Sequence, residues 1–169
     1  MRKALENKKL FWYVNVMELI YLDYNCFQRG FDDPRQLKIR LEAMVCEEIF
    51  LKAEATEVEL VWSFMHEDEN TLCPFLERKL EVLRLSSLCK TKIGPKEEIY
   101  STAKEFQDAA GLASKDALHL SCANNAGCSF FLTCDDDLIR RGKRLNLSME
   151  ILNPVDYIRE VGNNESSTD

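Results

Sequence analysis

The sequence SKDALHLSCANNAGCSFFLTCDDD, residues 114–137, joins a helix, a buried strand and three acids in direct succession. Residues 114–126 carry apolar side chains at helical spacing, and Gly127 is typical of a helix end. The next run, CSFFLT, is apolar throughout, as in a strand that is covered on both faces. This stretch therefore predicts one unit of a parallel α/β sheet, with Asp135 directly after the strand.

The same alternation of helix and strand continues on either side of this stretch. Strand-like runs cover residues 18–22, 57–62 and 148–152, and helical spacing covers most of the segments between them. Apolar strands separated by helices indicate a three-layer α/β/α sandwich with a central parallel sheet. In such sheets ligands bind outside the carboxyl ends of the strands, so the residues that follow each strand are the candidates for function.

Length and composition indicate one folded domain. The 169 residues are 46% hydrophobic with only 6 Gly and 4 Pro, which excludes collagen-like and disordered classes. No apolar stretch reaches the length of a transmembrane helix, and no signal peptide is expected. Met17 precedes the first strand, so we predict an N-terminal extension at residues 1–16, a domain at 17–161 and a flexible polar tail at 162–169.

Cysteine content and net charge indicate the redox state of the thiols and exclude one mode of nucleic-acid binding. Seven cysteines without CxxC spacing are typical of reduced thiols in a cytoplasmic protein, rather than of disulfides or a zinc site. The net charge of -7 disfavours a protein that holds nucleic acid by its overall charge, although it leaves room for a local basic patch.

Three aspartates are candidates for a common site. Asp23 and Asp135 each follow an apolar strand, so we expect them at the same edge of the sheet. Asp116 shares a helical stripe with the apolar residues Leu120 and Ala123. Because an isolated buried charge is prohibitively costly, Asp116 is expected either to pair with a cation or to coordinate a metal.

A fourth acid belongs to the run Glu67-Asp68-Glu69. The neighbouring apolar residues place Glu67 on the outer face of the predicted helix, but helical spacing does not choose between Asp68 and Glu69. Carboxylates without clustered histidines or thiolates form an all-oxygen site, which suits Mg²⁺ or Mn²⁺ better than zinc.

The order and spacing of three segments resemble the PIN-domain family: YLDYN at 21–25, SFMHEDEN at 63–70 and residues 114–141. The resemblance implies a metal-dependent endoribonuclease that uses Mg²⁺ or Mn²⁺. Such proteins are commonly the toxin of a bacterial toxin–antitoxin pair. The expected partners are therefore RNA, an antitoxin protein and a second copy of the chain, with no membrane.

Carried over residue by residue, the family's four acids fall on Asp23, Glu69, Asp116 and Asp135. The resemblance assigns metal ligation to the first three and a ligand or supporting role to Asp135, with Asp137 as an alternative or helper. Asn25 and Ser63 are expected to hydrogen-bond the carboxylates. A basic cluster is expected to contact RNA phosphates and consists of Arg140, Arg141, Lys143 and Arg144.

Plainer interpretations accompany each of these assignments. The three consecutive aspartates can cap a helix, the basic cluster can serve a helix C-terminus, and His119 is expected to be a packed helix residue. Arg29 and Lys115 could screen the carboxylates in the absence of metal.

Other protein families fit the sequence less well. A haloacid-dehalogenase phosphatase would need an aspartate in place of Asn25, and a receiver domain would need an acidic pair at Asp23. The remaining alternative is a PIN-like binding module without turnover.

Overall fold

Five parallel strands form one central sheet in the order β3-β2-β1-β4-β5. The structure is a computed structural model that describes residues 17–165, with side chains described through residue 161. The strands are β1 (Glu18–Leu22), β2 (Val58–Ser63), β3 (Thr91–Ile93), β4 (Phe130–Leu132) and β5 (Glu150–Leu152). Because all strands run in the same direction, their carboxyl ends meet at one edge.

Eight helices connect the strands within the described range. They are α1 (Tyr24–Gln28), α2 (Leu37–Glu54), α3 (Phe64–Leu72), α4 (Leu76–Ser86), α5 (Glu97–Ala110), α6 (Ser114–Ala126), α7 (Asp136–Gly142) and α8 (Pro154–Glu165). Single 3-10 turns follow α1 at Arg29–Phe31 and α7 at Lys143–Leu145. Each helix in the described part of the chain is either too short or too polar to span a bilayer.

Helices cover both faces of the sheet. One core layer joins the sheet to α1, α2, α4 and α8, and the other joins it to α3, α5, α6 and α7. Successive residues of β1 alternate between these layers, so Ile20 and Leu22 lie in the first and Tyr21 lies in the second. The predicted three-layer α/β/α sandwich is therefore confirmed.

Three local predictions differ from the structure. The sequence Asp32-Asp33-Pro34 predicts a helix start at Pro34, but this is wrong, because α1 and a 3-10 turn come first and α2 begins at Leu37. Ser114 is also a predicted N-cap, but it is the first residue of α6 and Ala113 precedes it at the cap position, while the Ser114 hydroxyl accepts a hydrogen bond from Gln107 at 2.9 Å. Helix α8 continues to Glu165, past the predicted end at residue 161. The predicted extension at residues 1–16 lies outside the described residues.

Candidate active site

Asp23 lies at the carboxyl end of β1 with only 8% of its surface exposed. Its Oδ2 accepts hydrogen bonds from the Thr133 hydroxyl at 2.7 Å and from the Asn25 amide at 2.9 Å, while its Oδ1 accepts one from the Tyr24 N–H. Burial, with a smaller contribution from the charge of Glu69, raises the pKa of Asp23 above its usual range. This carboxylate is held rigidly in a place where its charge is costly.

Thr133 is a site residue that the sequence analysis missed. It follows β4, which pairs with β1 in the register Leu22 to Leu132, so its side chain is brought against Asp23. Its hydroxyl also accepts hydrogen bonds from Asn25 and from the backbone N–H of Asp135. The sequence signal that could have identified Thr133 was its place as a polar residue between an apolar strand and Asp135.

Glu69, in the last turn of α3, points toward Asp23, whereas the adjacent Asp68 is exposed. The Glu69 Oε1 accepts a hydrogen bond from the His119 Nε2 at 2.5 Å, and its Oε2 lies 3.1 Å from the Lys115 Nζ. Burial raises the pKa of Glu69, but the hydrogen bonds and charges of His119 and Lys115 outweigh it and lower the pKa overall. Lys115 thus screens this acid, as expected from the sequence.

His119 is buried, as expected for a packed helix residue, but its ring also joins the site. Its Nδ1 lies 2.6 Å from the Tyr21 hydroxyl, which in turn lies 2.7 Å from the Ser63 hydroxyl. Within the described residues, Ser63 is therefore linked to Glu69 through Tyr21 and His119 and makes no hydrogen bond to a carboxylate. The sequence signal for His119 was its position one turn after Asp116, on the same face of α6.

Asp116 lies half-buried in the first turn of α6, beside the other acids. Burial raises its pKa, and the negative charges of Asp23, Asp135 and Glu69 raise it further. Among the side chains that the structure describes, none forms an ion pair or hydrogen bond with Asp116. Of the two outcomes expected for this residue, pairing with a cation is thus not observed.

The three consecutive aspartates have separate environments. Asp135 is exposed and caps α7 by accepting hydrogen bonds from the backbone N–H groups of Asp137 and Leu138. We call Asp23, Glu69 and Asp116 the acidic group. The charge of Asp135 acts on Asp116, so Asp135 lies at the margin of the acidic group. The Asp137 carboxylate instead pairs with Arg140 and Arg141.

The predicted basic residues form two groups. Arg140 and Arg141 both pair with Asp137, and Arg141 also donates to the backbone carbonyl of Gly111. Lys143 and Arg144 are exposed in the 3-10 turn after α7 and have no partner among the described side chains.

Arg29 does not screen the acidic group, contrary to the expectation from the sequence. Its guanidinium donates to Glu42 at 2.7 and 2.5 Å and to Asp32 at 3.0 Å. Glu42 is fully buried and also accepts a hydrogen bond from Asn153 at 2.7 Å. The pair is structural, because it ties α2 to the turn after α1 and to the end of β5.

The donor chemistry of the acidic group fits a divalent cation. Ligand atoms of Asp23, Glu69 and His119 lie within 4.8 Å of one another, and the charges of Asp116 and Asp135 act on the same space. Lys115 is the single Lys or Arg side chain that pairs with one of these acids within the described residues. Carboxylate oxygens in excess over cations are the ligands that Mg²⁺ and Mn²⁺ prefer.

Comparisons with known proteins agree with this architecture. One solved structure that the chain resembles is that of VapBC2 from Rickettsia felis bound to a DNA fragment from their promoter. The likeness has a TM-score of 0.51 and 15% sequence identity, over 79% of this chain and 98% of that chain, and shows the fold alone. A comparison with curated proteins finds no match. The PIN domain model matches residues 20–144, well over half of the sequence, and the chain therefore belongs to the PIN domain family.

Proposed function

We propose that this protein is an endoribonuclease that uses Mg²⁺ or Mn²⁺ and acts as the toxin of a toxin–antitoxin pair. The observation that carries the proposal is Asp116, an acid that pairs with no Lys or Arg among the described side chains and whose pKa is raised by burial and by the acids around it. In a structural salt bridge, a Lys or Arg of the same chain would offset the repulsion between Asp116 and the neighbouring carboxylates. In a metal site, the bound cation offsets that repulsion. Membership of the PIN domain family supports the same interpretation.

The carboxylates have distinct parts in the proposed reaction. Asp23, Glu69 and Asp116 hold the metal directly or through water, and Asp135 is a further ligand or a supporting group. When bound, Mg²⁺ or Mn²⁺ supplies Lewis acidity at the phosphodiester and makes water a nucleophile at neutral pH. Thr133 and Asn25 fix the orientation of Asp23 through hydrogen bonds to its Oδ2.

His119 acts as a positioning residue for Glu69. Its ring is fixed on one side by Tyr21 and holds the Glu69 Oε1 on the other. Lys115 is mostly exposed, so its ammonium group is free to move from Glu69 to an RNA phosphate once the acids are neutralised.

RNA is held by charges away from the scissile bond. Helix α7 has seven residues and is about 10 Å long, which separates Lys143 and Arg144 from Asp135 by roughly that distance. We assign these two residues to a neighbouring phosphate and not to the reacting one. Arg140 and Arg141 can contribute only where phosphate displaces Asp137 from them.

Two adjacent acids on α3 provide a matched test. The purified protein is incubated with RNAs that contain single-stranded loops, with Mg²⁺, Mn²⁺ or EDTA. We expect cleavage with either metal, none with EDTA, and a loss of at least ~100-fold in Glu69→Gln, since this variant removes a metal-facing carboxylate. Asp68→Asn, which changes the exposed neighbour, keeps wild-type activity.

Product ends distinguish this mechanism from its competitors. In the reaction that the PIN resemblance implies, water attacks the phosphorus and the bond to the 3′-oxygen breaks, which leaves a 5′-phosphate and a 3′-hydroxyl. A 2′,3′-cyclic phosphate requires attack by the ribose 2′-hydroxyl and would refute the proposal. RNA binding that depends on the acidic group, without any cleavage, would instead support the alternative of a PIN-like binding module.

Exposed apolar side chains support a protein partner. On α4 and the loop before it, Phe75, Leu76, Leu80 and Leu83 are each at least 45% exposed. Such a patch on a folded domain is typical of an interface. We assign it to the antitoxin. Leu76→Glu combined with Leu80→Glu should abolish inhibition by the antitoxin and leave RNA cleavage unchanged, while a shift from dimer to monomer would show that a second copy uses the patch.

A further inference from the structure

Three buried thiols, those of Cys26, Cys46 and Cys134, meet in the first core layer, next to the acidic group. Their Sγ atoms all lie within 4.8 Å of one another. They come from three separate places in the chain, namely α1, the middle of α2 and the segment after β4. We call these residues the thiol cluster.

The thiol cluster is more than a set of small core residues. Buried cysteines often serve only as small apolar side chains, and the buried Cys89 of the same core layer belongs to no such group. In the thiol cluster, however, three sulfurs from distant positions have converged. Metal–thiolate bonds of about 2.3 Å place the sulfurs of a trigonal site about 4 Å apart, and the three sulfurs already lie within 4.8 Å of one another.

A groove lies beside two of the three thiols. Cys26 and Cys46 line a groove of about 500 Å³ between α2, α4 and the turn after α1, which also contains the cationic side chain of Arg29. The cluster is also tied to the acidic edge, because the Cys134 N–H donates to the Asn25 side chain, whose amide holds Asp23.

We propose that the thiol cluster binds one soft, thiophilic metal ion of the class that includes Cu⁺ and Zn²⁺. Bonds form from the three sulfurs to the ion, the thiol protons leave to solvent through the groove, and the oxidation state of the metal does not change. Among the described residues the cluster contains no fourth ligand, so Cu⁺ is held by three sulfurs and Zn²⁺ takes its fourth ligand from water. This site is separate from the proposed Mg²⁺ or Mn²⁺ site and does not depend on nuclease activity.

Competition titrations test the proposal on the reduced, full-length protein under anaerobic conditions. Cu⁺ and Zn²⁺ are titrated separately against a chromophoric chelator, and the sulfur coordination number is measured by X-ray absorption. We expect one equivalent of at least one of the two ions, bound through three sulfurs and not displaced by Mg²⁺ or Mn²⁺. Cys46→Ser should weaken binding by more than the ~10–100-fold that loss of a supporting contact costs.

Cys89→Ser is the matched control, since it also removes a buried thiol from the same core layer and should retain wild-type affinity. Cys134→Ser repeats the test on a second ligand in case Cys46→Ser does not fold, as judged by circular dichroism. The proposal is overturned if the chelator removes both ions from the wild type, if both cluster variants keep wild-type affinity, or if Cys89→Ser loses as much as they do.

Discussion

Replacing Asp116 with Asn distinguishes a metal site from a structural salt bridge. In the presence of EDTA this carboxylate pairs with no Lys or Arg in the part of the chain that the structure describes, and it is repelled by Asp23, Glu69 and Asp135. Removing one half-buried charge from such a group should leave the free energy of unfolding unchanged or raise it by up to about 1 kcal/mol.

Glu42→Gln provides the contrasting case within the same protein. Glu42 is fully buried and accepts two hydrogen bonds from Arg29, so removing its charge leaves the Arg29 guanidinium with the more exposed Asp32 as its one remaining ion-pair partner among the described residues. Breaking one partner of a buried pair costs about 3–5 kcal/mol. The two substitutions are chemically alike and are expected to change stability in different ways.

Metal provides the second half of the experiment. At free Mn²⁺ a hundredfold above its Kd, the wild type should gain about 2.7 kcal/mol. For a chain of this size that corresponds to a rise in Tm of about 5 to 11 °C. Asp116→Asn should lose most of this rise at the same Mn²⁺ concentration, whereas a destabilised Glu42→Gln keeps it.

Thermal and urea melts with EDTA and with Mn²⁺ measure both quantities for the three proteins. A strongly destabilised Asp116→Asn, together with a wild type whose Tm does not respond to Mn²⁺ or Mg²⁺, would refute the assignment of the acidic group as a metal site.

Further substitutions test the groups around the acids. Thr133→Val should reduce the Mn²⁺-dependent cleavage rate by about 10–100-fold, because it removes the hydroxyl that holds Asp23. Thr133→Ser keeps a hydroxyl and should retain most of the wild-type rate, so equal rates in the two variants would contradict this role. Tyr21→Phe leaves the buried His119 Nδ1 without its hydrogen bond, so urea unfolding should show a loss of about 1–3 kcal/mol, and an unchanged midpoint would argue against the observed contact. Gly127→Ala should cost about 1–2 kcal/mol in the same assay, because φ at this position is 74° while no neighbour blocks an added Cβ.

Local sequence patterns were sufficient for the architecture. The apolar run at residues 128–133 and the helix before it predicted a parallel unit, because a strand covered on both faces has no polar side. The positions of Asp23 and Asp135 directly after such strands also indicated that they lie at one edge. Both inferences depend on spacing along a single element, which the sequence contains in full.

Distinctions within an element already required the fold. Helical spacing left Asp68 and Glu69 equivalent, and only the packing of α3 against α6 turned Glu69 toward His119. Glu42 stood among the polar residues of an amphipathic helix, yet it is fully buried because Arg29 and Asn153 approach it from distant parts of the chain.

The sequence by itself determined the fold class, the edge of the sheet that carries the candidate site and the types of residue that gather there. Tertiary structure alone decided their partners: Thr133 at Asp23, Tyr21 behind His119, Arg29 at Glu42 and the convergence of three thiols. Secondary structure follows from periodicity between near neighbours, whereas these contacts join residues that are distant in the sequence. Arg29 and Glu42 are 13 positions apart, and Asp23 and Thr133 are 110 positions apart. Their geometry is fixed only when the strands pair and the helices pack.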